Sequence, residues 1–510
     1  MKLLRFALLP LLLLAGCSVG PDYRRDRVDA ASPAQPPADW KWKTAAPSDR
    51  LPRGAWWALY HDAELDRLEG AAQAQNQDLR AAVARVDKAR GQARLSGADF
   101  FPKLTLDAQA QRERLSGNNP QFSQLGAAVP PATTNSFSVP VDLSYEVDIW
   151  GRVRRSFESA RDAAQAAVAD TQNVLLTLQA DVAVDYFTLR EYDTERRILR
   201  DTVETRQKSL EINQKRLQAG RATALDVEQA KTELANSQAD LAEVEQERAQ
   251  MQDALAVLCG AAASAFEVAE NPLPAGIVPP GVPVGLPSDL LERRPDVAEA
   301  ERTMAARNAQ IGVAIAAYYP TVNLTGQYGY LSASASNLFT KPSSMWSFGP
   351  SVTLPLFTGG QTTAQVKSAR ADYDEAVAQY RGTVLGAFRD VEDSLAAERF
   401  LARRAEAAAR AAEAAGKARD LSEQRYRSGR VDYFEVTDSQ RTELAAQRAR
   451  AQIEGQRLYA SVRLVKALGG GWDASALGAE QPAPYPVLPL DSAAPQPDST
   501  SAPVPPTPQS

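Results

Sequence analysis

The sequence predicts a mixed fold that combines long α-helices with membrane β-strands and contains the same structural unit twice. Three observations lead to this prediction. Short motifs recur at a spacing of about 210 residues, proline-free stretches carry an apolar stripe at the helical period, and shorter segments alternate apolar and polar residues. Self-similarity at a fixed spacing is a strong indicator of architecture, so we expect two structural repeats, each with two transmembrane β-strands and long coiled-coil helices.

The two repeats are recognised by paired motifs. Aromatic, glycine-containing and acidic motifs of the first half return in the second: Phe100-Phe101-Pro102 as Tyr318-Tyr319-Pro320, Gly151-Arg152 as Gly360-Gln361, Gly220-Arg221 as Gly429-Arg430, and Asp226-Val227 as Glu435-Val436. We assign the first repeat to residues 56–270 and the second to residues 288–472. A bridge rich in proline and glycine, residues 271–287, joins them. Each repeat is predicted to run helix, strand, strand, long helix, shorter helix.

The long helix of the second repeat has the clearest pattern. From Gln361 to Arg427 there is no proline, and apolar residues recur every three or four positions, which is the helical period. At 1.5 Å per residue such a helix is roughly 100 Å long. Because this length exceeds a compact domain, the helix belongs to a coiled coil, a stalk or a tube.

Four segments alternate apolar and polar residues, which places the two kinds on opposite faces of a strand. They lie at about 103–115, 136–149, 320–331 and 346–357, and a tilted membrane strand needs about 9–11 residues. Aromatic residues cluster at the helix-side strand ends, as in the girdle of a membrane barrel: Phe100, Phe101, Trp150, Tyr318, Tyr319 and Phe357. A half-buried sheet of a soluble protein is the alternative.

The alternation also assigns the strand faces, with Leu143 toward lipid and Ser144 toward a water-filled lumen. Four strands cannot close a barrel, since the smallest bacterial barrels have about eight. An open edge in lipid leaves backbone groups without hydrogen-bond partners. We therefore expect the chain to associate with copies of itself, in a number that the strands do not give.

Residues 1–16 are predicted to be a signal peptide, with Lys2 and Arg5 before an apolar stretch. The end of this segment, Leu14-Ala15-Gly16-Cys17, resembles a bacterial lipobox, so Cys17 is predicted to be lipidated. An ordinary signal peptide followed by a chance cysteine is the alternative. By the sorting rule of bacterial lipoproteins, Ser18 after the cysteine implies the outer membrane.

The two terminal regions of the mature chain are rich in proline, alanine and serine. Residues 17–55 are predicted to hold the lipid anchor and an extended segment, and residues 473–510 a disordered tail.

Composition argues against several functions. The net charge is −6 with no basic block, so nucleic acid is not an expected partner. One histidine and two cysteines leave little for metal or thiol chemistry. The sequence shows no nucleotide-binding glycine loop, metal-ligand cluster or nucleophile motif. We predict that the protein is not an enzyme and that it has no cofactor and no metal site.

Three segments resemble signatures of the TolC-like outer-membrane efflux channels, in the NodT-type branch of lipoproteins that serve resistance-nodulation-division (RND) pumps. They are Trp56-Trp57-Ala58-Leu59-Tyr60-His61-Asp62, Tyr145-Glu146-Val147-Asp148-Ile149-Trp150-Gly151-Arg152 and Leu290-Leu291-Glu292-Arg293-Arg294-Pro295-Asp296-Val297, and Gly20-Pro21-Asp22-Tyr23 fits as well. The resemblance covers roughly residues 17–472.

The resemblance implies a homotrimer in which three chains supply twelve strands to one β-barrel, continuous with a periplasmic α-helical barrel of twelve helices. It implies two protein partners, a periplasmic adaptor and a proton-driven RND pump of the inner membrane. It also implies a place in the outer membrane, with a lipid anchor and an extension into the periplasm.

The resemblance further assigns roles at the helix-to-helix turns, where channels of this family close and the adaptor docks. Glu435 and Asp438 match the acidic ring of the periplasmic aperture. Asp226 and Tyr426 match positions that hold neighbouring coils together in the closed state. At Val431 the sequence departs from members that use an arginine for a second closing contact, which puts that contact in doubt here. A solvated helix start is the alternative for the two acids of the ring, since the helix dipole favours acids in a first turn.

Three functions are consistent with this sequence. The first is an RND-type exit duct for drugs or other small toxic compounds, and the second is a channel for type I protein secretion or metal-ion efflux. The third, from another class, is a periplasmic coiled-coil scaffold, which would not need strands long enough to cross a bilayer. The lipobox and the Arg294-Pro295-Asp296-Val297 segment favour the first. The sequence does not identify the substrate.

Overall fold

The part of the chain that the computed structural model describes is rich in helix and contains one β-sheet. It comprises residues 18–23, 54–114, 133–281 and 294–470. Cys17, the predicted signal peptide and the predicted tail of residues 473–510 lie outside the described residues.

Seven α-helices are present in these ranges. They are α1 (Ala63–Gln75), α2 (Gln77–Ala98), α3 (Arg152–Gln218), α4 (Ala224–Leu258), α5 (Pro295–Ala316), α6 (Gln361–Arg427) and α7 (Tyr433–Ala467), and a short 3-10 helix, Trp56–Tyr60, precedes α1. None of these helices is both long enough and apolar enough to cross a membrane. Helices α3 and α6 each have 67 residues, and α4 and α7 each have 35.

The repeat is reproduced to the residue in the long helices, since α6 and α7 begin and end 209 residues after α3 and α4. The first repeat differs from the prediction at its start, where two helices replace one. The cause is Asn76, whose extended backbone interrupts the helix and whose side chain accepts a hydrogen bond from the Leu79 N–H at 2.9 Å. Asn76 thereby caps α2 in the usual manner of an N-cap residue.

The strands form a single antiparallel sheet. They are β1 (Lys103–Leu106), β2 (Gln109–Arg114), β3 (Thr133–Val147), β4 (Thr321–Ser332) and β5 (Ser344–Thr353). The order across the sheet is β1, β3, β4, β5, and β2 pairs with β3 beyond the end of β1.

The strand predicted at about 103–115 is divided into β1 and β2, which are separated by Asp107 and Ala108. Both pair with β3 in the same register. These two residues lie opposite Val139 and Pro140. Proline has no N–H to donate to the ladder, although its carbonyl still accepts from the Asp107 N–H at 3.0 Å. The break therefore follows from Pro140 in the neighbouring strand.

The last strand is also shorter at its end than the predicted segment, 346–357. Its pairing stops where Thr353 faces Thr321, the first residue of β4. The preceding residue, Pro320, cannot donate to a ladder. Residues beyond Thr353 therefore have no partner on β4.

The register collects apolar side chains on one face of the sheet and polar ones on the other. One transverse row is Leu106, Val141, Tyr328 and Trp346, and the next is Thr105, Asp142, Gln327 and Ser347. The four apolar residues of the first row are exposed in the single chain. A large exposed apolar surface of this kind marks contact with a membrane or a partner, in agreement with the predicted strand faces.

The largest core lies among the helices, away from the sheet, and the Trp56–Tyr60 segment with Asp62 helps to build it. Trp56 is fully buried and donates through Nε1 to Gln179 at 3.1 Å. Asp62 caps α1 through the Glu64 and Leu65 N–H groups and accepts from the Tyr186 hydroxyl. It also forms an ion pair with Arg190. The first signature segment thus fixes α1 on α3.

The second signature segment makes the joint between the sheet and α3. The Asp148 carboxylate accepts from the N–H groups of Val153 and Arg154 at 3.0 and 2.9 Å, where the dipole of α3 also favours a negative charge. Trp150 stacks on Tyr319 with ring centroids 4.7 Å apart. The joint therefore ties the start of α3 to the start of β4.

Candidate functional site at the helix tips

Two helical hairpins, α3–α4 and α6–α7, end in five-residue turns at residues 219–223 and 428–432. Gly220 and Gly429 adopt φ values of +68° and +75°, a conformation that disfavours residues with a Cβ. The next residues, Arg221 and Arg430, donate backbone N–H bonds to carbonyls of the helix just ended. Both turns are therefore built in the same way, as the paired Gly-Arg motifs predicted.

Asp226 stands in the first turn of α4 and takes part in a capping box. Its Oδ2 accepts from the Thr223 N–H at 2.8 Å, and the Thr223 hydroxyl accepts from the Asp226 N–H at 3.2 Å. Such reciprocal bonds satisfy two backbone donors that a helix start otherwise leaves open. The carboxylate of Asp226 is thus engaged within its own hairpin.

Tyr426, near the end of α6, contacts the other hairpin instead. Its hydroxyl donates to Oδ1 of Asn213 on α3 at 2.7 Å, and the Arg216 guanidinium lies 4.4 Å from the centre of its ring. Burial raises the pKa of the Tyr426 hydroxyl, and the charge of Asp226 acts in the same direction. The hydroxyl therefore stays protonated and can donate.

Asp226 and Tyr426 lie in different hairpins of the chain, and their role in holding neighbouring coils together stays a prediction. Both residues lie at the hairpin tips, but the hydroxyl of Tyr426 bonds Asn213. The capping box holds the Asp226 carboxylate at the start of α4.

A second link between the hairpins is a buried ionic cluster. Glu233 on α4 pairs with Arg206 on α3 at 3.2 Å, and both side chains are only 5% exposed. Arg441 on α7 donates through Nε to Oε1 of Glu233 at 2.8 Å. A buried charge is tolerated when it is paired and hydrogen-bonded, and Arg206 also donates to the Ser237 hydroxyl at 3.2 Å. Arg441 therefore joins α7 to a charge pair that is complete within the first hairpin.

A small apolar cluster completes the contact between the tips. It contains Leu210, Val227, Ala230, Leu234, Tyr433 and Val436. Tyr433 and Tyr426 have ring centroids 5.4 Å apart. A few localised contacts thus connect the tips of the two hairpins, and these would have to break if the tips separated.

The two predicted ring acids lie in the first turns of α7. Glu435 is about half exposed, and its Oε1 accepts from Nη1 of Arg425 on α6 at 3.0 Å. The Asp438 carboxylate is exposed, and it has no ion pair among the residues that the structure describes. Glu435 is therefore ion-paired inside its own hairpin, whereas Asp438 forms no ion pair among the described residues.

Sequence reasoning missed Asn213, Glu233, Arg206 and Arg441. One signal was available, because Arg206, Leu210 and Asn213 follow the four-and-three spacing of a buried helix stripe. A polar residue in such a stripe needs a partner. The identity of that partner depends on how the two hairpins pack.

The fold is that of the TolC-like outer-membrane channels. The family model described as "Outer membrane efflux protein" matches residues 68–261 and 286–470. OprJ of Pseudomonas aeruginosa is 35% identical over 474 residues, which are 92% of this chain and 95% of OprJ. The pyoverdine export protein OpmQ of the same species is 35% identical over 442 residues, covering 87% and 92% of the two chains.

Solved structures agree with these relatives. The outer-membrane channel OprN superposes with a TM-score of 0.79 at 29% identity, over 89% of this chain and all of that one. VceC of Vibrio cholerae superposes with a TM-score of 0.74 at 29% identity, over 83% of this chain and all of that one.

The chain belongs to the outer membrane efflux protein family. It is the outer-membrane channel component of a tripartite efflux system and extends into the periplasm, and its family is one of channels and not of enzymes. The family decides against the coiled-coil scaffold, the third function considered from the sequence.

Proposed function

We propose that three copies of this chain form one channel, in which each supplies four strands, with β1 and β2 counted as one, to a twelve-stranded β-barrel and its helices to a periplasmic tunnel. The open sheet carries this proposal. Strands β1 and β2 form one edge and β5 the other, and unpaired backbone groups at an edge are costly in lipid. Pairing β5 of one copy with β1 and β2 of the next satisfies both edges.

We further propose that the channel is a passive duct for drugs or other small toxic compounds. Relatives named for antibiotic efflux, toluene efflux and pyoverdine export support small molecules as cargo. They favour this function over protein secretion or metal-ion efflux. A periplasmic adaptor and an inner-membrane RND pump are the proposed partners, and the pump supplies the energy.

The tips are proposed to form the periplasmic gate. In the closed state the hairpins of each chain are held together by Tyr426 with Asn213 and by Arg441 with Glu233. Three copies of Glu435 and Asp438 then surround the aperture. Like charges gathered at a narrow opening attract cations. Because Arg425 pairs with Glu435, Asp438 contributes more of this field.

The aperture predicts graded effects of alanine substitutions in planar-bilayer recordings. Asp438→Ala should lower cation selectivity and block by multivalent cations more than Glu435→Ala, and the double variant should lower both furthest. Glu423→Ala is the matched control, since it removes an acid that pairs with Arg427 on its own helix. If the double variant keeps the parent's selectivity and cation block, the two acids are only a solvated helix start.

Anchoring of the channel by lipid on Cys17 is likewise proposed, on the strength of the lipobox. Cys17→Ser should abolish metabolic labelling with palmitate, because the thiol carries the first acyl linkage. The parent protein and Cys259→Ser, which alters the buried cysteine of the helical core, should both be labelled. Palmitate on the Cys17→Ser protein would contradict the lipobox assignment. We expect the Cys17→Ser protein to retain part of its membrane insertion, because the strands themselves enter the membrane.

A further inference from the structure

We propose that residues 18–23, here called the N-terminal strap, fix the point at which the acyl chains on Cys17 enter the membrane. The inference rests on the proposed acylation of Cys17. The strap contains the motif Gly20-Pro21-Asp22-Tyr23, which takes no part in the proposed pore or gate.

The main chain of the strap is held at two places. The Val19 N–H donates to the Trp150 carbonyl at 3.0 Å, at the joint between β3 and α3. The side-chain amide of Asn308 on α5 donates to the Pro21 carbonyl at 3.0 Å. The strap therefore lies across the start of α3 and along α5.

Two side chains of the strap reach the same two helices. Asp22 accepts from Nη2 of Arg155 on α3 at 2.5 Å, and the Tyr23 hydroxyl donates to Glu301 on α5 at 3.3 Å. The side chain of Arg155 is only 7% exposed, and it also pairs with Glu158 at 2.8 Å. A buried guanidinium needs such partners, so Asp22 is bound to a residue that cannot turn to solvent.

The close approach of the strap is permitted by glycines on both sides. Gly20 has a φ of +98°, and a Cβ there would lie 2.5 Å from the Cα of Gly312 on α5. At the start of α3, a Cβ on Gly151 would lie 2.7 Å from the Ser18 hydroxyl. These contacts leave no room for a side chain, so the path of the strap is set by backbone packing.

The strap ends at the aromatic side of the sheet. Ser18 lies against Gly151, and the adjacent Trp150 stacks on Tyr319 and donates to the Pro320 carbonyl at 2.8 Å. Tyr318 and Tyr319 are exposed there, as expected of residues at a membrane–water interface. The described part of the strap thus begins at Ser18, the residue that follows the proposed acylation position in the chain. With so little slack, the strap fixes the depth of the sheet relative to the acyl chains.

Photo-crosslinking from the acyl chain tests this directly. Cells producing the full chain are fed a palmitate analogue with a diazirine near its carboxyl end, irradiated, and the crosslinked peptides are identified by mass spectrometry. The parent should give crosslinks enriched on peptides that carry Trp150 or Tyr318 and Tyr319. Gly20→Val and the double variant Asp22→Ala/Tyr23→Phe should lose this enrichment while incorporating as much analogue.

Two further variants serve as controls. Asp99→Ala removes another acid near the same joint, one that pairs with Lys103 at 2.9 Å, and it should keep the parent pattern. Asp22→Asn keeps an acceptor for Arg155 at an exposed position and should lie between the parent and the double variant, so the test does not depend on a variant that fails to fold.

The results of this experiment distinguish the proposal about the strap from the proposed acylation of Cys17. If the parent carries the analogue but its crosslinks are spread evenly over the sheet, the strap proposal is overturned and acylation stands. The strap proposal is also overturned if the strap variants keep the parent's enrichment. If the parent carries no analogue at all, both the acylation and the strap are wrong.

Discussion

The double variant Arg441→Gln/Tyr426→Phe is expected to raise the resting conductance of the channel strongly, because it removes two polar links that join the tips of the two hairpins in each chain. A neutral hydrogen bond contributes about 0.5–1.5 kcal/mol. An ion pair with one exposed partner contributes up to about 1 kcal/mol, and Arg441 is 54% exposed in the single chain. Together about 2 kcal/mol is lost per chain, which shifts the ratio of open to closed hairpins roughly 30-fold.

The design leaves the first hairpin intact. Glu233 remains paired with Arg206 when Arg441 is replaced, so no buried carboxylate is left alone. Each single variant should give a smaller rise in conductance than the double variant. Arg427→Gln is the matched control, since its ion pair with Glu423 lies within α6. An unchanged resting conductance of the double variant in planar bilayers would show that these contacts do not hold the gate.

Leu143→Arg is expected to reduce the amount of channel in the outer membrane sharply, whereas Ser144→Arg is expected to be tolerated. A charged residue on the lipid face costs about 2–4 kcal/mol near the middle of the membrane, and each assembled trimer would bear this cost three times. Leu143 lies in a row with Leu104, Gly326 and Phe348 on the apolar face of the sheet.

Ser144 belongs to the polar face, in register with Lys103 and Thr325. An arginine there meets the charge of Lys103, but like charges on neighbouring strands cost no more than about 1 kcal/mol, which is less than the cost of an arginine in lipid. Quantitative immunoblots of outer-membrane fractions distinguish the two variants. Equal losses would refute the assignment of the faces.

The sequence was sufficient for the architecture because the relevant patterns are local. The 209-residue spacing predicted hairpins whose helices have the same lengths in both repeats. The alternation around Leu143 predicted which residues share a face of the sheet, because a strand has a side-chain period of two. Pro140 shows the limit of the pattern, since a residue on β3 interrupts β1 and β2 through pairing that only the sheet reveals.

The contacts of the candidate gate could not be predicted from the sequence as well as the architecture could. The family resemblance led to Asp226 and Tyr426, but the Tyr426 hydroxyl bonds Asn213, 213 residues away in the chain. Glu233 and Arg441 are likewise brought together only by the packing of α4 against α7. Helical periodicity shows which positions are buried, but it does not show which residues of two helices meet.

The central claim, that one channel is made by three copies of this chain, is tested most directly by the mass of the purified mature protein in mild detergent. Light scattering corrected for bound detergent should give three chains per particle and no stable folded monomer, because a single chain leaves β5 and the β1–β2 edge unpaired. A well-folded monomer with its sheet intact would contradict the account.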